Sequence, residues 1–379
     1  MTPPGPEHAG ALLTIDLGAI RENYLLLREK LGGAGCAAVL KADAYGLGAD
    51  RVAPVLAAAG CRHFFVAHLD EAIALRPRLP GMAQLYVLHG SPVGAESEFL
   101  RQRVVPVLNS LPQVEAWAAL ARAKGVRLPA LLQVDTGMSR LGLSGEELAA
   151  VAADPGRLQG IELRYVMSHL ACAEQQDHPL NPRQLAAFRE ARRLLPPAPA
   201  SFANSSGIFL GPAYHFDLAR PGAALFGLAP VAGRPNPMRP VIRLQGKVIQ
   251  TRSIPVGTGV GYGVTFRAAT PRRIATVSVG YADGFPRSLG NRAVAHFGAT
   301  PLPLAGMVSM DTITLDASAL PDGALAPGSL VELIGEHCPV DEAAARAGTI
   351  GYEFLTRLGR RFQRRYEDGA GEISLRAIS

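Results

Sequence analysis

Cysteine is scarce in this chain of 379 residues. Its four cysteines lie far apart and none forms a Cys-x-x-Cys pair; they are Cys36, Cys61, Cys172 and Cys338. This spacing predicts neither a disulfide framework nor a zinc site, so we expect reduced thiols and no metal.

Long apolar runs are also missing. No uninterrupted apolar stretch reaches the roughly 18 residues of a membrane span, and the first eight residues do not combine a basic start with an apolar segment. We therefore expect a cytoplasmic protein without a membrane partner.

Charge is sparse as well, at 18% of residues, with a formal net charge of +6. The basic residues are spread along the chain except for one cluster near its end, formed by Arg357, Arg360, Arg361, Arg364 and Arg365. A solvated helix face explains such a cluster better than nucleic-acid binding does, so we expect no nucleic-acid partner. Small anions such as phosphates and carboxylates would suit the positive excess.

Short apolar runs alternate with amphipathic stretches from Ala37 onward, which predicts repeated β/α units. The predicted strands are 38–40, 64–66, 85–88, 104–108, 131–134, 163–167, 202–203 and 216–219. Eight units predict a closed parallel (β/α)8 barrel of the TIM type. The eighth segment is short and polar, so a doubly wound open sheet is the alternative, although no Gly-x-Gly-x-x-Gly motif follows the first strand.

The composition of the chain changes near residue 240. Gly and Pro turns then separate β-rich segments at 241–250, 274–279, 293–297, 304–315 and 330–334. A chain of this length exceeds the usual size of one domain. We expect a barrel over 15–240, a mainly β domain over 241–379, and an N-terminal strand within 1–14 that joins the C-terminal sheet.

Lys41 is the most informative residue, because an apolar strand delivers it to a turn that contains Tyr45 and two glycines. A partly desolvated lysine has a lowered pKa and can form a Schiff base with an aldehyde. The aldehyde cofactor of amino-acid chemistry is pyridoxal phosphate. The plain alternative is a lysine that merely ends a strand.

Polar residues recur where the later predicted strands end, which is where barrel active sites lie. The candidates are Arg140, His169, Asn204, Ser205, Arg220, Gly222 and Ala223. Ser205 and the amides around Gly222 predict a phosphate cradle, because glycine admits close approach. Arg140 offers a planar fork suited to a carboxylate.

Eight separated blocks of the sequence together resemble the alanine racemases, from about Ile15 to Tyr366. They are VLKADAYG at 39–46, DTGMSRLG at 135–142, SHLA at 168–171, ANS at 203–205, RPG at 220–222, GYG at 261–263, GYADG at 280–284 and MVSMD at 307–311. A chance match would have to recur in all eight blocks.

The resemblance implies a pyridoxal-phosphate enzyme that works as a head-to-tail homodimer and interconverts L-alanine and D-alanine, supplying D-alanine for peptidoglycan. It implies that Lys41 carries the cofactor, with the remaining cofactor contacts made by Tyr45, His169, Asn204, Ser205, Arg220, Gly222 and Ala223. Among these, Arg220 would face the pyridine nitrogen.

Inverting the α-carbon requires an acid/base group on each side of the cofactor. The resemblance implies that Lys41 and Tyr262 of the partner subunit fill these roles, and that Arg140 binds the substrate carboxylate. Met310, Asp311 and Tyr281 are implied near the substrate. Two alternatives remain open: a racemase for serine or for a broader range of amino acids, and a non-catalytic pyridoxal-phosphate carrier.

Two positions depart from the pattern of the family. Many members carry a carbamate-modified lysine where this chain has Gln133, and some carry a tyrosine where it has Arg360. We expect a neutral amide at 133 to orient Arg140 by hydrogen bonding, and we expect substrate access near residue 360 to differ.

Overall fold

A computed structural model describes residues 8–368 of the chain. The described residues form two compact units: Ile20–Met238, and residues 8–19 together with 239–368. The expected domains 1–14 and 241–379 include residues 1–7 and 369–379, which lie outside the described residues. Within the described range, no helix is both long enough and apolar enough to cross a membrane.

The strands and α-helices are numbered in chain order. The strands are β1 (Ala11–Asp16), β2 (Gly35–Cys36), β3 (Ala38–Val39), β4 (His63–Val66), β5 (Gln84–Val87), β6 (Val105–Leu108), β7 (Leu128–Gln133), β8 (Ile161–Met167), β9 (Ala200–Ser201), β10 (Leu218–Ala219), β11 (Ile242–Ile254), β12 (Gly259–Val260), β13 (Phe266–Arg267), β14 (Arg272–Val277), β15 (Val294–Phe297), β16 (Thr300–Pro303), β17 (Ile313–Asp316), β18 (Leu330–Ile334) and β19 (Gln363–Glu367). The helices are α1 (Leu17–Lys30), α2 (Lys41–Gly46), α3 (Ala49–Ala58), α4 (Leu69–Leu75), α5 (Glu96–Gln102), α6 (Leu111–Lys124), α7 (Gly145–Ala153), α8 (Leu180–Leu194), α9 (Val340–Ala347) and α10 (Gly351–Arg357).

The unit Ile20–Met238 is built on parallel strands. Strands β3 to β9 form one sheet in strict chain order, and every neighbouring pair is parallel. A doubly wound sheet would reverse its strand order part-way, so that alternative is wrong. The strands read as nearly continuous apolar runs because both of their faces are buried.

The short eighth strand connects the two ends of this series. β10 pairs in parallel with β2, and this pairing continues as Ala37 N–H and Val39 N–H donate to the carbonyls of Ala219 and Pro221, both at 2.9 Å. On its other side, Arg220 N–H donates to the carbonyl of Ala203 at 2.8 Å. The predicted (β/α)8 architecture is therefore confirmed, including its weak eighth segment.

Buried side chains fill the interior of this unit. The cluster comprises Ala37, Val39, Phe65, Tyr86, Val105, Val107, Leu131, Met167 and Leu218. Side chains alternate along a strand, so residues two positions beyond a member share its face. His169 follows Met167 in this way and Arg220 follows Leu218, which directs both toward the carboxyl ends of the strands.

The second unit is mainly β. β11 pairs antiparallel with β1, β14 and β18, and β1 pairs in parallel with β19. The main path of the sheet runs β16-β15-β18-β11-β1-β19. The long β11 thus joins the N-terminal strand to the C-terminal segments.

The single strand predicted over 304–315 is wrong. Its first half is a loop around Gly306, whose φ of 98° suits glycine, and the ladder resumes only at β17. A Cβ at Gly306 would lie 2.8 Å from the carbonyl oxygen of Val260. Close approach to a neighbouring loop, which apolar periodicity does not reveal, interrupts the strand here. The short helix α9 was also not predicted. The basic cluster near the end of the chain is not one helix face, because Arg357 ends α10 whereas Arg364 and Arg365 lie on β19.

Candidate active site

Lys41 lies two residues after the end of β3 and begins the segment numbered α2, which is a turn of the opposite hand to an α-helix. The next four residues, Ala42 to Tyr45, have φ between 53° and 56°, the left-handed helical region. None of them is glycine, and an L-residue in this region costs roughly 1–2 kcal/mol. Such a turn persists only where its surroundings hold it.

Several hydrogen bonds hold this turn. The Asp43 carboxylate accepts from Ala49 N–H at 2.7 Å, and the Asp43 carbonyl accepts from Gly48 N–H at 2.9 Å. The Glu71 carboxylate accepts from Ala42 N–H at 2.6 Å. Tyr45 is buried, so the turn also packs against the interior of its unit.

The amine of Lys41 lies in a partly buried, cationic setting. Burial, and then the positive charge of Arg140, lower the pKa of Lys41 below its usual value, while the Glu71 carboxylate opposes them. A lowered pKa increases the share of neutral amine, which is the nucleophilic form.

A group of hydroxyl and amide groups lies where the last two barrel strands end. Ser205 Oγ accepts hydrogen bonds from Gly222 N–H at 3.0 Å and from Ala224 N–H at 3.2 Å. A Cβ at Gly222 would lie only 2.4 Å from the phenol oxygen of Tyr45. We call Tyr45, Ser205, Gly222 and Ala224 the hydroxyl–amide cradle. Its donors suit a bound anion.

Two neighbouring candidates complete the surroundings of the cradle. Ala223 lies between its two amides and starts the 3-10 turn Ala223–Phe226, whose last ring packs 5.0 Å from that of Tyr45. Asn204 holds the start of the 3-10 turn Ser206–Leu210, since its Oδ1 accepts from Gly207 N–H at 2.8 Å. Its hydrogen bonds thus shape the backbone around Ser205.

Arg220 is buried and has uncharged partners. Its Nη1 donates to Ser201 Oγ at 2.5 Å, and its Nη2 donates to the Ser168 carbonyl at 2.7 Å and lies 3.3 Å from His169 Nδ1. Burial lowers the pKa of Arg220 to about 9, which leaves the guanidinium charged at neutral pH. A buried cation without a carboxylate favours a ligand that accepts a hydrogen bond.

His169 is held neutral beside this cation. Burial, followed by the charges of Arg220, Arg140 and Lys41, lowers the pKa of His169 well below its usual value. A guanidinium only donates, so Nδ1 must be the acceptor and the ring proton lies on Nε2. Arg220 thereby selects the tautomer of His169.

The loop that carries Arg140 is folded around one carboxylate. Asp135 Oδ1 accepts from the amides of Gly137 and Met138, both at 2.9 Å, and Oδ2 accepts from Ser139 N–H at 3.0 Å. The Arg140 side chain is exposed, and within the described residues it has no hydrogen-bond or ion-pair partner. The guanidinium is therefore available to an external anion.

Gln133 supports this loop through hydrogen bonds to the backbone of the loop. Gln133 Nε2 donates to the carbonyl of Leu141 at 3.0 Å, and Leu143 N–H donates to the Gln133 carbonyl at 2.8 Å. The amide thus holds the residue after Arg140 and not the guanidinium itself. Arg360, the other departure, is exposed.

The remaining candidates belong to the β-rich unit. Tyr262 lies on the tip between β12 and β13, where Gly261 and Gly263 have φ values of 71° and 70°. Its side chain is 74% exposed, and those of Tyr281 and Met310 are 43% and 53% exposed. Large apolar side chains exposed together are typical of an interaction surface.

Arg361 holds the two loops that carry Tyr281 and Asp311. Its Nε lies 2.6 Å from Asp283 Oδ1 and its Nη1 donates to Asp311 Oδ1 at 2.7 Å. The loops also bond directly, because Tyr281 N–H donates to the Ser309 carbonyl at 3.0 Å. These contacts fix the exposed side chains relative to one another.

Two family models match nearly the whole chain. The model for the alanine racemase N-terminal domain matches residues 15–230, and that for the alanine racemase C-terminal domain matches residues 241–366. The chain belongs to the alanine racemase family. The resemblance seen in the sequence motifs is thereby confirmed.

Individual members of the alanine racemase family are similar over almost their full length. A catabolic alanine racemase from Agrobacterium fabrum is 55% identical over 358 residues, which cover 94% of this chain and 92% of the relative. An alanine racemase from Rhodospirillum rubrum is 51% identical over 370 residues, covering 97% and 99%. The crystal structure of the Bartonella henselae alanine racemase with covalently bound pyridoxal phosphate has a TM-score of 0.92 and 44% identity, covering 94% of this chain and 99% of that one.

Sequence reasoning missed residues that support the alanine racemase motifs from outside them. Ser201 bonds Arg220, Glu71 bonds the turn after Lys41, and Arg361 bonds Asp311. Each is distant in sequence from the residue it holds. A capping box at the start of α4 indicates Glu71 as a helix cap, and that signal does not reveal its second contact.

The close approach within the cradle predicts the stability of one variant. Gly222→Ala should lower the free energy of unfolding by about 1–3 kcal/mol, because its methyl group would overlap the Tyr45 phenol oxygen. Adding Tyr45→Phe removes that oxygen and should recover part of the loss, since the ring carbon that carried it would still lie 3.0 Å from the methyl group. Thermal unfolding measures both effects.

Gly81→Ala is the matched control for Gly222→Ala, since nothing lies within 4 Å of a Cβ at that position. Equal melting temperatures for Gly222→Ala and Gly81→Ala would contradict the close approach of Tyr45 to Gly222.

Proposed function

We propose that this chain is an alanine racemase that binds pyridoxal phosphate at Lys41 and interconverts L-alanine and D-alanine. The observation that carries the proposal is the set at the barrel's strand ends: a lysine of lowered pKa, the hydroxyl–amide cradle and a buried arginine with uncharged partners. The names of the relatives support the same substrate.

The residues fit this cofactor. The cradle offers the Tyr45 and Ser205 hydroxyls beside a glycine backbone, which suits a phosphate that approaches closely. Arg220 offers N–H groups on a buried guanidinium, which suit the lone pair of a ring nitrogen. Lys41 supplies the amine that binds the aldehyde.

The chemistry of the reaction then divides between cofactor and protein. Bound pyridoxal phosphate withdraws electrons from the α-carbon of an amino acid and makes its proton removable. Arg140 binds the substrate carboxylate, because its guanidinium is exposed and has no partner within the described residues. Lys41 removes or returns the α-proton on one face.

Arg220 limits side reactions in this proposal. As a hydrogen-bond donor that stays charged, it leaves the ring nitrogen unprotonated, and the withdrawal of electrons is weaker than with a carboxylate partner. His169, held neutral with its proton on Nε2, adds no positive charge to this region. The residues therefore favour simple proton return over transamination.

The second acid/base group in this proposal is Tyr262 of the partner subunit, which acts on the opposite face of the cofactor. Its exposure on a glycine-flanked tip, together with that of Val264 on the same turn, supports a role in a neighbouring copy of the chain. Met310, Asp311 and Tyr281 would border the substrate from the same side. The functional enzyme is then a homodimer with shared active sites.

The cellular role follows from this reaction. We propose a cytoplasmic enzyme that supplies D-alanine for peptidoglycan. Because a racemase works in both directions, deletion of the gene distinguishes two roles. If the deletion strain of the source organism requires external D-alanine, the biosynthetic role is supported. If it needs no D-alanine but no longer grows with D-alanine as its sole carbon source, the role is catabolic.

The purified chain with pyridoxal phosphate should convert L-alanine to D-alanine until the two are nearly equal. Chiral chromatography measures the products, and Lys41→Ala should abolish them because the amine is lost. Serine offered at the same concentration should react at least tenfold more slowly in kcat/KM. Equal rates would support broader specificity, and retention of activity by Lys41→Ala would contradict the proposal.

Mixing two inactive variants tests the shared site. After subunit exchange between Lys41→Ala and Tyr262→Phe dimers, half of the dimers are hybrids with one intact site, so about a quarter of wild-type activity should appear. Each variant alone, taken through the same exchange, is the control. No recovery would mean that Lys41 and Tyr262 do not act across a subunit boundary.

Replacing Arg220 tests whether this residue favours racemisation over transamination. Arg220→Glu should increase transamination, which is measured as conversion of the bound cofactor to its amine form during turnover, because a carboxylate favours a protonated ring nitrogen. Arg193→Glu makes the same change of charge at an exposed position on α8, where Arg193 pairs with Glu190, and is the control. Unchanged partitioning in Arg220→Glu would contradict the role of Arg220.

A further inference from the structure

The carboxylate of Glu71 binds three backbone amides in two adjacent β/α units. Its Oε2 accepts from Ala67 N–H at 2.7 Å and from His68 N–H at 3.1 Å, directly after β4. Its Oε1 accepts from Ala42 N–H at 2.6 Å, directly after Lys41. One side chain therefore links the start of the left-handed turn to the neighbouring unit.

Helix capping explains only part of this arrangement. Glu71 is the third residue of a capping box whose N-cap is His68, and that role uses Oε2. The bond from Oε1 to Ala42 leaves the helix and crosses to another unit. Hydrogen bonds to a charged acceptor are stronger than neutral ones, so this contact is suited to hold a strained backbone.

We propose that Glu71 is a positioning residue for Lys41, whose carboxylate holds the left-handed turn at Ala42 and so fixes the direction in which the lysine side chain leaves the backbone. This inference rests on the proposed function, because the direction of the side chain matters only if Lys41 is the reacting amine. The contact between the Glu71 carboxylate and Ala42 N–H, which we call the clamp, is present whatever the function of the chain.

The charge of Glu71 acts on the same amine. The carboxylate raises the pKa of Lys41, against the lowering by burial and by Arg140. Burial, followed by the charges of His68 and Lys41, lowers the pKa of His89 after β5, and the Glu71 carboxylate opposes them, so these groups lie near one another. Removing the carboxylate should thus change both the backbone and the proton affinity of the lysine.

The chain contains a matched control for this clamp. Glu147 closes a capping box on α7, where its Oε2 accepts from Ser144 N–H at 2.9 Å, and its Oε1 accepts from Leu111 N–H of the neighbouring unit at 2.8 Å. The chemistry is that of Glu71, but the held amide begins α6 and does not follow Lys41. Glu147→Gln therefore removes an equivalent clamp elsewhere.

The test uses the full chain stripped of pyridoxal phosphate, so that the lysine amine is free. The sequence has only four lysines, at 30, 41, 124 and 247, and reductive methylation with ¹³C-formaldehyde gives each a separate NMR signal whose pH titration can be followed. Hydrogen exchange of the Ala42 amide reports on the turn. Glu71→Gln, Glu71→Asp and Glu147→Gln are compared with the wild type.

In Glu71→Gln, the Lys41 titration should shift to lower pH and the Ala42 amide should exchange at least tenfold faster, because one amide group cannot replace two charged acceptors. Glu71→Asp keeps the negative charge on a shorter side chain that does not extend to Ala42. The exchange rate of the Ala42 amide should therefore rise, while the pH titration of Lys41 stays closer to that of the wild type. Glu147→Gln should alter neither signal. With cofactor restored, kcat/KM of Glu71→Gln should fall about tenfold in both directions.

A Glu71→Gln variant that matches Glu147→Gln in Lys41 titration and in Ala42 exchange would overturn the inference. Should that variant fail to fold, unchanged Ala42 exchange in Glu71→Asp would overturn it equally. The titration and exchange are measured without substrate, so they hold even if the chain proved not to racemise alanine. Absence of racemisation in the wild type would count against the proposed function alone.

Discussion

The left-handed turn of Ala42 to Tyr45 is the constraint on which the rest of the site depends. It reverses the backbone within one turn after Lys41, and it places the Tyr45 phenol oxygen against Gly222, at the far end of the barrel's strand series. An ordinary right-handed continuation would carry Tyr45 elsewhere. The strain of four non-glycine residues is offset by burial of the turn and by the backbone N–H groups of Ala49 and Ala42, which donate to the carboxylates of Asp43 and Glu71.

The electrostatics of the site follow from burial without counter-charges. Arg220 is buried among uncharged acceptors. Burial, with the charges of Arg220 and Arg140, holds His169 neutral, and burial with the charge of Arg140 lowers the pKa of Lys41. Among the described residues, the Glu71 carboxylate opposes this positive field at the lysine. Such a field suits an anionic ligand, and it lowers the proton affinity of the lysine amine.

Much of the barrel was predictable from the sequence, because strands buried on both faces appear as apolar runs that periodicity detects. The seventh strand lies at 200–201, slightly before its predicted position, and the eighth is recognised by pairing with β2 more than by its composition. The motif residues were found because they follow strands. Contacts between distant segments, such as Ser201 with Arg220 and Arg361 with Asp311, leave no local pattern.

The prediction of a strand over 304–315 was also wrong because of a contact between distant segments. The apolar residues of this segment satisfy a strand pattern, but Gly306 and its close approach to Val260 turn the chain, which only the tertiary structure reveals. Likewise, the left-handed turn could not be predicted, because Ala and Tyr do not favour that conformation locally. Function-related strain is where local sequence rules fail.

The most direct test of the account is to reduce the cofactor-loaded protein with borohydride and map the labelled peptide. With four lysines in the chain, the attachment point is unambiguous. The account predicts that the label is fixed on Lys41 and on no other residue. A label on Lys30, Lys124 or Lys247, or none at all, would contradict it.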